Sequence, residues 1–397
     1  MWIVLLVVFI DLVGFGVVIP LLPFYGEHFG ASAFAVTMLL ATYSGFQFLF
    51  APLWGRLSDR IGRKPVILIS LTTSALAYFW LGHAYALWML FAARALQGVS
   101  AGNISVAQAY IADITTPENR AKGMGMFGAT IGLGFIVGPA IGGYLSGKTL
   151  STLSVGAPSY LAAALSALAL VVAAVALKES LDAHHRRLAI ANRKSRVTQF
   201  TEAFARPRLR QLMTLSFLTT LAFAGMETTF AIWALARFDW GPRQVGTVFA
   251  TIGIVLVLIQ GGLVGRLVKR YGEAKLLLTG TVIIGLGLAL LAGSFVPWVG
   301  ITACCLLSFG MGLAQPSTSS LVSREASSLE QGSILGVNQS LSSLARLVGP
   351  AVAGVAFTFG GPSAPYVIGA LVMLGAALLA SRVLRHQQAP LGMGSPA

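Results

Sequence analysis

The chain has 397 residues, 56% hydrophobic and only 10% charged, against roughly 25% charged in a soluble domain. Most of its surface therefore cannot face water. A net charge of +14 invites a polyanion partner, but the basic residues lie in short intervals between apolar stretches, where they set orientation in a bilayer and exclude a nucleic-acid footprint.

In chain order, apolar stretches near the ~20 residues that cross about 30 Å of hydrocarbon predict helices at about 2–24, 33–54, 66–84, 87–112, 122–145 and 158–177. A second set follows at about 211–235, 244–265, 276–295, 298–322, 332–357 and 365–384. The first stretch lacks a basic leader and runs on through Pro20 and Pro23, so it reads as a retained helix. With the amino terminus placed in the cytoplasm, 22 of the 27 Lys and Arg fall on the cytoplasmic side. Three fall outside (Lys148, Arg237, Arg243), and Arg94 and Arg346 lie within helices. This asymmetry is the positive-inside pattern. The expectation is a multi-pass protein of the inner (plasma) membrane with both termini cytoplasmic.

The longest polar interval, about 178–210, is rich in Arg, Lys and His and separates six helices from six. The chain divides into an N-terminal bundle (1–177), a basic cytoplasmic linker (178–210), a C-terminal bundle (211–385) and a cytoplasmic tail (386–397). Internal repetition supports the division. Gly55-Arg-Leu-Ser-Asp-Arg-Ile-Gly62 recurs as Gly265-Arg-Leu-Val-Lys-Arg-Tyr-Gly272, and Gly138-Pro139 recurs as Gly349-Pro350. The fold class is thus all-α: twelve transmembrane helices in two pseudo-symmetric six-helix bundles, a plan in which substrate binds between the halves near mid-membrane.

Asp11 is placed in the first span, some nine residues or roughly 14 Å from its cytoplasmic end. Apolar burial favours the protonated form of a carboxyl and a nearby guanidinium favours the ionised one. An acid caught between those influences suits proton exchange. Glu227, in the seventh span, is a second such acid. Arg94 and Arg346 are costly inside a membrane unless paired or hydrated, so both should face the bundle interior. Arg94 can also read as a structural tie to backbone carbonyls, and Asp11 as its partner.

Between the second and third spans, Gly55, Asp59, Arg60, Gly62, Arg63 and Lys64 form a short basic hairpin with one embedded acid. Glycines 55 and 62 suit tight turns. In the fifth span Gly125, Gly134, Gly138, Pro139, Gly142 and Gly143 follow G-x8-G-x3-G-P-x2-G-G. Small residues spaced by four let a neighbouring helix approach, and Pro139 allows a bend. Gln47, Asn103, Gln108, Gln260, Gln315, Asn338 and Gln339 are candidates for lining a cavity, although most such amides only tie helix to helix. Gln315-Pro316 could open the tenth span locally. Trp88, Trp233 and Trp240 fall near helix ends, as in an interfacial belt.

These patterns carry a resemblance. The hairpin is similar to the loop 2–3 signature of the major facilitator superfamily, whose acid latches the cytoplasmic gate; a plain charged hairpin is the simpler reading. Leu90-Phe-Ala-Ala-Arg94-Ala-Leu-Gln97-Gly98-Val-Ser-Ala-Gly102 resembles the fourth-helix Arg motif of that family, implicated in proton relay. The fifth-span pattern resembles its antiporter signature, and Phe9-Ile-Asp11-Leu-Val-Gly14-Phe-Gly16 resembles the first helix of the tetracycline/proton antiporters, which carry an acid there. The likeness runs through most of the first half and is weaker in the second. Where that group has acids in its third and ninth helices and a His in its eighth, this chain has Ala77, Ile284 and Leu256.

The resemblance implies proton-coupled efflux of lipophilic, cationic or zwitterionic small molecules, tetracycline-like ones among them, by alternating access. The alternative is a proton-coupled uptake symporter or facilitator for a sugar or other metabolite on the same fold. No enzyme site is expected, because His28, His83, His184, His185 and His386 all fall in loops or tails. Cys304 and Cys305 are adjacent, without a partner for a disulfide or metal site, and no G-x4-G-K-[ST] phosphate loop is present. No cofactor is expected beyond the proton gradient. The expected partners are the bilayer, protons and a small lipophilic substrate, with the protein acting as a monomer.

Overall fold

The computed structural model describes residues 1–147, 149, 152–180, 196–326 and 330–388. Lys148, linker residues 181–195 and tail residues 389–397 lie outside the described residues. The main helices are α1 (Trp2–His28), α2 (Ala33–Ile61), α3 (Arg63–Gly82), α4 (in two pieces, Leu87–Ser100 and Asn103–Ile114), α5 (Pro117–Leu145) and α6 (Gly156–Ala176). In the second half they are α7 (Pro207–Phe238), α8 (Pro242–Tyr271), α9 (Glu273–Ala292), α10 (Pro297–Arg324), α11 (Gln331–Gly360) and α12 (Ala364–Gln388). A short helix, Arg196–Ala205, precedes α7. Among the described residues, eleven helices are long and apolar enough to cross a bilayer. The predicted fourth span falls outside that count because a break at Ala101-Gly102 leaves pieces of 14 and 12 residues.

Packing repeats between the halves. In the first, α1 packs on α5 and α6, α3 on α4 and α6, and α2 on α4. In the second, α7 packs on α11 and α12, α9 on α10 and α12, and α8 on α10. The halves meet through α2 against α11 and α5 against α8, pairs that exchange when one half is overlaid on the other. The apolar cores lie mostly within the halves, with Phe24 of α1 joining the cluster of the second half. One large cluster surrounds Phe230, Trp233 and Tyr366 in the second half. Two smaller clusters fill the first half, one around Val4, Leu71 and Ile111 and the other around Leu21, Tyr25 and Leu81.

Contacts between the halves are recorded by glycines at the end of the bundle far from Asp59. A side chain on Gly143 would meet Pro242 O at 3.0 Å and Gly246 Cα at 3.1 Å, and one on Gly253 would meet Phe135 O at 3.1 Å. Gly354 of α11 lies against Thr37 of α2. Toward the Asp59 end of the same helices, Gly125, Gly128, Gly261, Gly265 and Gly336 face no described atom within 4 Å of where a side chain would start. The two halves touch at one end and leave room at the other.

Several expectations are corrected. The span 33–54 continues as helix to Ile61, so Gly55 sits inside α2 instead of in a turn. The reversal falls on Gly62 alone, at φ +106°, and its repeat Gly272 has φ +79°; a residue with a side chain is strained there. Pro316 is accommodated within a continuous α10, so that helix does not open. Trp233 is no interfacial residue: it is fully buried, with ring centroids 5.8 Å from Phe230 and 5.6 Å from Tyr366. Trp88 does face outward.

Candidate functional site

A cavity of about 660 Å³, its open mouth included, lies between the halves. In the first half α1 contributes Phe15 and Pro20, α2 Tyr43 and Gln47, α4 Arg94 and α5 Phe135; in the second α7 contributes Glu227 and Thr228, α8 Phe249 and α11 Arg346. Apolar walls with few polar groups are the usual lining of small-molecule sites.

Arg94 is 2% exposed. Its Nη1 donates to Gln97 Oε1 at 2.6 Å, one turn further along α4. The guanidinium lies 4.5 Å from the Tyr43 ring centroid and 5.9 Å from that of Phe15. A cation over aromatic faces gains electrostatically from the ring quadrupole, which offsets part of its desolvation. Among the described residues Arg94 Nε has no hydrogen-bond partner. Phe15 in turn packs against Tyr43 at 5.1 Å and edge-on to Phe135 at 6.1 Å. Gln47 Nε2 is 3.4 Å from the Tyr43 hydroxyl.

Asp11 stands one turn before Phe15 on α1 but behind the cavity wall, buried among α1, α4 and α6. Its Oδ1 accepts from Ser166 Oγ at 3.0 Å, and its Oδ2 accepts from Asn103 Nδ2. No ion pair joins Asp11 to Arg94 among the described residues, so the reading of Asp11 as a direct partner of Arg94 is not what the structure presents. Asn103 is the first residue after the α4 break, and its Oδ1 accepts from the Ile104 N–H at 2.8 Å.

The break frees backbone carbonyls in a buried region, where each must find a donor. Trp54 Nε1 of α2 donates to Val99 O, and Ser70 Oγ of α3 donates to Ser100 O. Ser100 Oγ donates to Gln97 O at 2.9 Å. Gly102 makes the approach of Trp54 possible: a side chain there would lie 2.6 Å from Trp54 Cβ. Asp11, Asn103, the broken turn, Gln97 and Arg94 therefore form one connected series from behind the cavity to its wall. Trp54, Ser70 and Ser166 were not singled out in the sequence. Gly98-x3-Gly102 was the available signal, since α2 packs there.

At the hairpin, Arg63 is the hub. Its Nη1 donates to Asp59 Oδ1 at 2.7 Å and to Ser58 Oγ at 2.7 Å, and its Nε donates to Asp113 Oδ2 at 3.1 Å at the end of α4. Glu179, past the end of α6, accepts the backbone N–H groups of Arg63 at 2.8 Å and Lys64 at 3.1 Å. A carboxylate so placed satisfies the first orphan donors of α3 and favours the helix dipole. Lys64 Nζ donates to Ala174 O at 2.8 Å, while Arg60 is exposed.

The fifth-span glycines serve two neighbours. Side chains on Gly134 and Gly138 would meet α1, at 2.8 Å from Leu12 Cβ and 2.6 Å from Gly16 Cα, and Gly142 lies against Val17. Gly143 faces α8 across the halves, and a side chain on Gly246 of α8 would meet Pro139 O at 2.7 Å. Gly125 meets no described atom within 4 Å, so it takes no part in this packing. Of the amide candidates, Gln47 lines the cavity and Asn103 holds Asp11. Asn338 is buried away from the lining, with its Oδ1 unpartnered, and Gln108, Gln260, Gln315 and Gln339 are exposed outside it.

The chain matches the family model described as Major Facilitator Superfamily over residues 4–350 and again over 263–395. It is 34% identical over 353 residues to the tetracycline resistance protein, class E, of Escherichia coli, covering 88% of this chain and 85% of that protein. It is 29% identical over 356 residues to multidrug resistance protein 2 of Bacillus subtilis (strain 168), covering 88% of this chain and 86% of that protein. Among solved structures it is similar to that of the human organic anion transporter MFSD10 (TETRAN), with a TM-score of 0.72 and 26% identity over 95% of this chain and 98% of that one.

Proposed function

Because the chain belongs to the major facilitator superfamily, we propose that it is a secondary active exporter, trading protons for lipophilic, drug-like small molecules by alternating access. The observation that carries this reading is the cavity between two pseudo-symmetric halves, faced by Glu227, Arg94 and Arg346. Relatives named for tetracycline and multidrug resistance, and a structural relative named for organic anions, support a drug-like cargo.

With the Lys- and Arg-rich end in the cytoplasm of a cell with an inner membrane, and both termini there, the gap near Asp59 faces the cytoplasm. The state described is then the one that loads substrate from the cytoplasm or inner leaflet. Asp11, Arg94 and Glu227 form the coupling set. A proton on Asp11 weakens its acceptance from Asn103 and loosens the broken turn, which Gln97 links to Arg94. The hairpin around Asp59, Arg60, Arg63 and Lys64 fixes the ends of α2, α3 and α4 as the gate moves.

Antiport needs proton and cargo to disfavour each other by a coupling free energy, typically about 1–3 kcal/mol. One proton moving down ~100 mV supplies about 2.3 kcal/mol, enough at about 1.4 kcal/mol per decade for a gradient of a few tens-fold. The reading includes a monomer and no cofactor.

Everted membrane vesicles energised by respiration test it. Adding cargo should release acid from the lumen in vesicles containing the protein and not in control vesicles. Acid entry driven by a sugar or other polar solute, without response to drug-like compounds, would favour the uptake reading.

A further inference from the structure

The charges on the cavity wall do not cancel. Arg94 and Arg346 come from opposite halves and Glu227 from α7, and among the described residues no ion pair joins any of them. Arg94 has Gln97 as its hydrogen-bond partner, and its Nε is buried with none. A buried donor on a cation is costly to leave without a partner, and in the cavity lining two guanidinia stand against one carboxyl, Glu227, with the Asp11 carboxyl behind the wall. Aromatic faces, Phe15, Tyr43 and Phe135, complete the wall.

We propose that the cargo of this cavity is an organic acid: an amphiphile bearing an ionised carboxylate, sulfonate or acidic enol on an aromatic body. The proposal rests on the reading of the cavity as the transport site and names the substrate class for it. The acid faces Arg94 and Arg346, whose planar forks match a two-oxygen anion, and the ring packs among the aromatic side chains. Glu227 accepts from a hydroxyl or amine elsewhere on the molecule. A simple lipophilic cation fits worse, because it gains Glu227 and meets two like charges in a site of low dielectric, where such repulsion is strong.

Three probes sharing one ring separate the classes: 1-naphthaleneacetate, 2-(1-naphthyl)ethanol and 2-(1-naphthyl)ethylammonium. Their affinities for the detergent-purified full chain are read by calorimetry without any gradient. The acid should bind at least about tenfold more tightly than the alcohol or the ammonium, the size of one charge-assisted hydrogen bond. Arg346→Gln should remove about that factor for the acid and leave the alcohol unchanged. Glu227→Gln should raise the affinity for the acid, a gain that a damaged fold does not produce.

An ammonium that binds as tightly as the acid overturns the proposal, as does an absence of acid binding or a fall in acid affinity with Glu227→Gln. Failure of the wider reading looks different. Protein that binds the acid but moves neither acid nor protons in liposomes removes antiport and leaves this assignment, while preferential export of the ammonium does the reverse.

Discussion

Glu273 Oε1 lies 2.8 Å from Arg324 Nη2, at the positions that repeat Arg63 and Asp113, themselves paired at 3.1 Å, with the signs exchanged. Arg63 and Glu273 each open a helix after a glycine of positive φ, and Asp113 and Arg324 each stand at or near the end of the helix that follows. Both halves thus tie the same two helix ends with an ion pair of opposite polarity.

The two pairs should differ in strength. Glu273 is buried but its partner Arg324 is largely exposed and screened by solvent, so Glu273→Gln should cost about 1 kcal/mol. Ser320 Oγ, which donates to Glu273 Oε1 at 2.6 Å, keeps a neutral partner after the change. Arg63 is nearly buried and serves Asp59, Asp113 and Ser58, so Arg63→Ala should cost about 3 kcal/mol by removing the cation these groups share. Thermal unfolding of the purified variants checks the order. The double reversal Glu273→Arg with Arg324→Glu should recover stability that either single reversal loses.

Two glycines of one motif should respond in opposite directions. Gly138→Ala drives a methyl into the backbone of Gly16 and should cost about 1–3 kcal/mol by overpacking, with loss of efflux. Gly125→Ala meets open space inside a helix and should be neutral or stabilising by up to about 1 kcal/mol, since it removes backbone freedom from the unfolded chain. Melting temperature and drug resistance of the two variants decide it. A matching loss in both would show that the spacing pattern, and not the contact, governs.

That contrast shows how much the sequence revealed. The all-helical plan, the duplicated halves and the inward-facing Arg94 followed from apolar length, internal repetition and the cost of a membrane charge. The division of labour along the fifth-span motif did not, because spacing by four gives a face and not the identity of its neighbour. The α4 break was hidden too: Ala101-Gly102 reads as ordinary helix, and the donors that stabilise the break, Trp54 and Ser70, come from other helices.

Trp54→Phe should leave the Val99 carbonyl without its donor, at about 1–3 kcal/mol. If the broken turn links Asp11 to Arg94, the variant should also shift the pH dependence of transport, whereas a purely structural Trp54 would lower stability and leave the profile in place. Arg94→Ala should shift the same profile. Transport rate against pH in vesicles separates the cases.

Asp59→Asn keeps the size of the side chain and weakens its pair with Arg63. Turnover should slow several-fold while cargo affinity holds, because the hairpin is remote from the cavity lining. A pure loss of affinity, measured by binding and initial-rate transport on the same preparation, would contradict a gating role.

Asp11 carries the central claim, that a carboxyl held behind the cavity exchanges its proton as the halves rock. The direct measurement is proton flux in liposomes holding the purified protein and a trapped pH dye, with a pH step imposed and a cargo acid supplied. Wild-type protein should give cargo-dependent proton movement, and Asp11→Asn, normally folded and still able to bind cargo, should give none. Equal flux from Asp11→Asn, or no flux from the wild type with any cargo it binds, would contradict the account.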